Sequence, residues 1–221
     1  MAKSGGGGTM AAGGARLLPR SFYSRPPEEV ARQLLGKLLV RPAGADTPEE
    51  LAGRIVEVEA YFGNEDPAAH AFAGKTARTE VLFGPPGHAY VYFIYGMHSC
   101  LNVSCEPEGR AGSVLIRALE PVAGLETMAR RRWPEGFPGQ VELAPELARK
   151  LISGPGRLCQ AFAITRAADN GVDFTSPHSR LQIKDDGLAA AAIEVTPRIG
   201  IRKAADRLAR FVVAGNPHRS R

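Results

Sequence analysis

"AYVYFIYGMHSCLNVS", residues 89–104, alternates as a β-strand does and carries three tyrosines, Tyr90, Tyr92 and Tyr95. Gly96 interrupts the alternation, flanked by Tyr95, Met97 and His98. Two strand-like runs meeting at a glycine read as a β-hairpin with Gly96 at its tip. Hairpin tips usually carry small polar turn residues, whereas this one carries large aromatic and apolar side chains. Such a tip either folds back as a buried turn or projects as a wedge. On a minor-groove loop, apolar wedges enter between base steps and kink the duplex.

Outward from the hairpin, strands and helices mix without a regular βαβ rhythm. "SRPPEEVARQLLGK" reads as a helix: prolines and glutamates open it, Val30, Leu34 and Leu35 form a stripe, and Gly36 closes it. "LLVRP" reads as a short strand. "ELAGRIVEVEAYFG" is a longer one, whose period of two predicts Val56, Val58 and Ala60 on one face and Ile55, Glu57, Glu59 and Tyr61 on the other. "GSVLIRALEPV" is a further strand, with Leu115, Arg117 and Leu119 sharing a face. "LETMARRRW" and "PELARKLI" read as helices, and Ser153 is positioned to cap another in "SGPGRLCQAFAI". "SRLQIKDDG", "AAIEVTPRIGI" and "ARFVVAGNP" return to short strands. This pattern predicts an α+β fold. Residues 1–15 are rich in glycine and alanine and read as a flexible tail, with residues 16–221 as one domain.

The 221 residues are 44% hydrophobic, enough for one sizeable core, and the formal net charge of +5 suits a polyanionic partner. Arginine outnumbers lysine, which fits phosphate recognition and equally a GC-rich genome. Cys100, Cys105 and Cys159 form no CxxC pair, so neither a disulfide framework nor a zinc site is expected. No long apolar run or signal-peptide h-region is present, and a cytoplasmic location is expected, nucleoid-associated if the source is bacterial.

No dinucleotide or P-loop fingerprint, nucleophile elbow or metal-ligand spacing stands out. In "EVEAY", Glu57 and Glu59 share a strand face with Tyr61. Such a face is either solvated or lines a pocket where one carboxylate holds a water against an electrophilic carbon. The pattern does not say which glutamate. His70 closes the following loop, where a histidine is usually solvated. Arg130, Arg131 and Arg132 read as a solvated last helical turn. Arg198, Arg202, Arg207, Arg210, Arg219 and Arg221 make the C-terminal stretch basic and suited to phosphates.

"GRIVEVEAYFGNEDPAAHAF", "AYVYFIYGMHSCLNVS", "VLIRALEP", "GLETM" and "SGPGRLCQAFAI" together resemble the alkyladenine (3-methyladenine, or N-methylpurine) DNA glycosylase family, in order over about residues 17 to 217. The resemblance implies a single mixed domain around a curved antiparallel sheet with a protruding hairpin. It implies hydrolysis of the N-glycosidic bond of alkylated and deaminated purines in double-stranded DNA, by a monomer, after base flipping, without metal or cofactor and without strand cleavage. By the same resemblance Glu59 is the general base and Arg117 helps place the water. Tyr61, His70 and Tyr92 enclose the flipped base, and Asn102 obstructs the amino group of guanine. Tyr95 fills the vacated space, with Met97 and His98 beside it in the groove. His98 stands where vertebrate members carry tyrosine. A non-catalytic DNA-binding module would need the wedge but not Glu59, and a nucleoside hydrolase the pocket but not the wedge.

Overall fold

The computed structural model describes residues 14–45, 47–94, 98–136, 144–188 and 192–220. The chain opens with β1 (Arg16–Leu17), α1 (Arg20–Tyr23), α2 (Pro27–Leu34), β2 (Leu38–Arg41) and the long strand β3 (Leu51–Tyr61). Three 3₁₀ turns, Gly63–Glu65, His70–Ala73 and Glu80–Phe83, lead to β4 (Ala89–Ile94), β5 (His98–Cys105) and β6 (Gly112–Ala123). Then come α3 (Leu125–Arg132), α4 (Pro145–Leu151), α5 (Pro155–Ala161), α6 (Arg166–Asp169), β7 (Gln182–Asp185), β8 (Ile193–Pro197) and β9 (Leu208–Val213).

The strands form one sheet in the order β1-β7-β2-β3-β6-β5-β4, and every ladder is antiparallel. β3 pairs with β6 along one edge and divides the other: Leu51–Arg54 face β2, while Glu57–Glu59 face β9, which carries β8. This fork, with the bulges described below, curls the sheet into a half-barrel. The α+β expectation holds, and so does the curved antiparallel sheet.

One face of the sheet carries the core, in which Leu34, Ile55, Ile116, Leu119, Phe162 and Phe211 are fully buried. α2 covers part of it. Pro27 is pre-set for the first turn, Glu28 and Glu29 complement the N-terminal dipole, and Val30, Ala31 and Leu34 turn inward. Gly36, at φ +85°, ends the helix and donates its N–H to the Ile55 carbonyl, delivering the chain to the sheet.

Period-two reading fails where the site is built. Between Ile55 and Glu57 the register with β6 shifts, then shifts back between Glu57 and Val58. Ile55 faces Leu119, Glu57 faces Ala118 and Val58 faces Ile116. Val56 on β3 and Arg117 on β6 are therefore the extra residues of two offset bulges. Each bulge advances the chain by one residue without changing face. Ile55 thus joins Val58 and Ala60 in the core instead of lying with the glutamates, and Leu119 joins Ile116 instead of lying with Arg117.

Three local readings are also corrected. α5 is capped by Gly154, not Ser153. Gly154 donates to the Arg117 carbonyl, which ties this segment to the bulged strand, and Ser153 Oγ donates to the Arg219 carbonyl 3.0 Å away. Arg131 and Arg132 are not a solvated turn: Arg131 donates to the Ala161 carbonyl and Arg132 reaches Leu151 and Gln160, binding α3 to α4 and α5. Arg130 stays exposed and pairs with Glu126 on its own helix. Of the C-terminal arginines, three are not arrayed for phosphates: Arg198 and Arg210 are committed to buried carboxylates, while Arg207 lies over the Phe62 ring.

Candidate active site

The last turn of β3 carries Glu57, Glu59 and Tyr61 out of the core onto the opposite face of the sheet. Both carboxylates are fully buried, so the solvated-face reading of this pattern is excluded. Burying a charge is costly unless it is paired and hydrogen-bonded, and the donors around the two glutamates are arranged differently.

Glu57 is saturated. Oε1 accepts from Arg117 Nε at 2.9 Å, Arg210 Nε at 2.7 Å and Ser220 Oγ at 2.7 Å, while Oε2 accepts from the Ser220 N–H. Burial alone would raise its pKa. The hydrogen bonds from Arg210 and Ser220, with the Arg117 charge, outweigh burial and hold it below the usual carboxylate range.

Glu59 has fewer partners, and they connect it to a cavity. Oε1 accepts from the Ile199 N–H at 2.8 Å and lies 3.1 Å from Arg117 Nη1. Oε2 accepts from the Tyr61 hydroxyl at 2.9 Å. Arg117, raised by its bulge, thus spans both carboxylates. Burial would lower its pKa, but the Glu59 and Glu57 charges raise it. Burial, then Glu59, pushes the Tyr61 hydroxyl up, so it remains a protonated donor.

Tyr61 lines a cavity of about 290 Å³ together with His70, Tyr92, Asn102, Arg78 and Ile201. The resemblance-derived pocket residues, scattered from position 61 to 102, are therefore brought to one space. His70 is solvent-exposed, as a loop histidine usually is, but it is not without partners. Its Nδ1 lies 2.9 Å from the Tyr90 hydroxyl, and its ring meets Tyr92 edge-on at 4.4 Å. Arg78 Nη2 approaches Nε2 at 3.4 Å. A guanidinium only donates, so Nε2 is the acceptor and Nδ1 carries the proton toward Tyr90. Burial, then the Arg78 charge, pulls the His70 pKa down to about 4, so the ring is neutral near pH 7. His70 and Tyr92 already touch, which makes them one wall and leaves the open space beside them. Asn102 pairs with Tyr90 across the β4–β5 ladder, is buried, and donates Nδ2 to the Tyr90 carbonyl at 3.2 Å.

Beneath Tyr61 the Arg198 guanidinium lies 4.7 Å from the ring centroid. It is bidentate to Asp66, with Nη2–Oδ1 at 2.9 Å, and both side chains are fully buried. Burial opposes ionisation of Asp66, but the Arg198 hydrogen bonds and the Ala68 and Phe62 N–H groups lower its pKa. This support was missed in the sequence, as were Tyr90, Arg78, Arg210 and Ser220, because none lies in a local pattern that announces it.

His98, exposed at the start of β5, packs its ring over Gly156, where an added Cβ would come within 3.1 Å of it. It lines a second cavity, of about 740 Å³, on the other side of Arg117. Arg132, Arg149, Lys150, Arg157 and Arg219 give that cavity a strongly basic lining. Tyr95 and Met97 lie outside the described residues. Among the described residues no group of three or more His, Cys, Asp or Glu side chains is placed to hold a metal ion, and no helix is long and apolar enough to cross a membrane.

The sequence matches the model of the family described as methylpurine-DNA glycosylase (MPG) over residues 21–217. A Koribacter versatilis protein named "Putative 3-methyladenine DNA glycosylase" is 57% identical over 200 residues, covering 90% of this chain and 91% of its own. Proteins of the same name from Burkholderia lata (49% identical, 90% of this chain and 89% of its own) and Alkaliphilus oremlandii (45%, 92% and 98%) match over a similar span. Matched over most of its length, the chain belongs to the methylpurine-DNA glycosylase family, a group of DNA repair enzymes.

Proposed function

We propose that this DNA glycosylase removes alkylated purines of the 3-methyladenine and 7-methylguanine type from double-stranded DNA, and hypoxanthine and etheno purines as further substrates. The base is flipped into the cavity between Tyr61 and the His70–Tyr92 wall. Glu59 takes a proton from the attacking water, and Arg117 helps place that water. The observation that carries the reading is the unequal treatment of the two carboxylates. Glu57 takes four donors from Arg117, Arg210 and Ser220, none of which lines the cavity. Glu59 is joined to the cavity through Tyr61, a wall of that cavity.

An N3- or N7-alkylated purine is cationic and leaves without a proton from the enzyme. As it departs, the sugar becomes oxocarbenium-like, a centre that a carboxylate stabilises while it activates water. A neutral His70 suits this pocket, since an imidazolium would repel the cationic base. Asn102 opposes the exocyclic amino group of guanine. The basic cavity beyond Arg117 suits the DNA backbone on either side of the flipped nucleotide. The same reading has hydrolysis without Schiff-base strand cleavage. Tyr95 fills the vacancy, with Met97 and His98 beside it in the groove.

Glu59→Gln keeps the shape but not the basicity. Single-turnover excision of 7-methylguanine from a duplex is expected to fall about 10²–10⁴-fold, with duplex binding nearly unchanged. An unaltered rate would remove Glu59 from the role and point to Glu57. Parallel incubation with free 7-methylguanosine separates this reading from a nucleoside hydrolase.

A further inference from the structure

Ser220 lies beyond the span matched by the family model, which ends at residue 217, yet it makes four hydrogen bonds behind the site. Its N–H and hydroxyl both donate to Glu57, and Arg210 Nη2 donates to its carbonyl at 3.3 Å. Arg117 Nη2 donates to the same hydroxyl at 3.3 Å. The neighbouring Arg219 carbonyl accepts from Ser153 Oγ, which anchors the segment to the loop before α5. We propose that Ser220 is a positioning residue for the glycosylase reaction, fixing the Arg117 guanidinium over Glu59.

The argument is one of valence. Three nitrogens of Arg117 have separate partners: Nε on Glu57, Nη1 beside Glu59 and Nη2 on Ser220. Nη2 is the corner common to both donor edges of the planar group, the one it shares with Nε and the one it shares with Nη1, and Ser220 holds that corner. A hydroxyl has one proton to give and lone pairs to receive. Here it gives the proton to Glu57 Oε1 and receives from Arg117, so it closes a ring of carboxylate, guanidinium and hydroxyl. Alanine does neither, a thiol does both weakly, and threonine does both well. Ser220 is 7% exposed and Arg117 7% exposed, so water does not readily replace the lost bond. Without it the guanidinium is free to turn about its Nε–Glu57 contact, and the Nη1–Glu59 geometry is no longer fixed.

This inference rests on the proposed roles of Glu59 and Arg117, and the test separates the two. Ser220→Ala, Ser220→Thr, Arg117→Gln and the Ser220→Ala/Arg117→Gln double variant are compared by single-turnover excision from a 7-methylguanine duplex, duplex Kd and Tm. Misplacement of a reacting group by an ångström costs on the order of 10²-fold. Ser220→Ala is therefore expected to be about 10²-fold slower, with parental Kd and Tm, and Ser220→Thr to stay within a few-fold of the parent. In the Arg117→Gln background, Ser220→Ala is expected to add little, because a residue acting through Arg117 has nothing left to position.

A parental rate for Ser220→Ala overturns the proposal. So does a loss of the same size in both backgrounds, or a weakened Kd with an intact rate, which would make Ser220 a DNA contact. A parental rate for Arg117→Gln would instead overturn the reading of Arg117, independently of the Ser220 result. If Ser220→Ala lowers the Tm, Ser220→Cys, matched in size but weak in hydrogen bonding, takes its place with the same outcomes.

Discussion

His70 illustrates how one side chain links the site to the stability of the chain. Its pKa drops from 6.5 to about 4, because burial and the Arg78 charge disfavour the imidazolium. Between those values the unfolded chain binds more protons than the folded one, so stability falls as the pH is lowered from 6.5 toward 4. Glutamine in place of His70 does not titrate and still reaches Tyr90. The Tm of His70→Gln is expected to decline less steeply over that window than the parental Tm. Parallel declines would mean that His70 is as easily protonated in the folded chain as in the unfolded. The lowered Glu57 and Asp66 carboxylates add their own acid sensitivity further down, where protonation removes stability that is present above the ordinary carboxylate range. The two effects are therefore separated in pH, and the His70 contribution is lost first on acidification.

At the scale of elements, the pair of offset bulges does the main work. A regular β3–β6 ladder would place Arg117 by simple alternation. The bulges add a residue to each strand, increase the local twist and lift Arg117 between two carboxylates. The turn after β3 is equally constrained. Gly63 sits at φ +57°, and any Cβ there would lie 2.0 Å from the Ala111 carbonyl oxygen, so the chain passes the β5–β6 connection only as glycine. The Arg198–Asp66 pair joins that turn to the segment after β8 and supports the Tyr61 ring. Arg198→Ala leaves Asp66 buried without its cation, which is expected to cost about 3–5 kcal/mol. Urea denaturation measures this directly. A loss below about 1 kcal/mol, the range of surface pairs, would show that water reaches Asp66 in the variant.

For the whole molecule, the net charge of +5 matters less than its distribution. The basic side chains concentrate around the cavity beyond Arg117, while other arginines are spent on internal carboxylates. Duplex affinity is expected to fall with salt, with a slope in log K of about −0.9 per phosphate neutralised. Arg149→Ala/Lys150→Ala is expected to shallow that slope, and an unchanged slope would place the DNA elsewhere. The sequence by itself determined the local features. The β4–β5 hairpin, the Pro-Glu start of α2 and the shared face of Glu57, Glu59 and Tyr61 all depend on neighbours within a few positions. Those neighbours fix backbone dihedrals and the direction of successive side chains. Only the tertiary structure decided how the two glutamates differ. The groups that saturate Glu57 stand 60, 153 and 163 residues away, at Arg117, Arg210 and Ser220, and no local period encodes them. The bulges were hidden for the same reason, since a register shift is a relation between two strands. The bland histidine at position 70 became a neutral pocket wall only when Tyr90 and Arg78 were folded against it. Burial and partner identity set the chemistry of a titratable group, and both are properties of the packed chain.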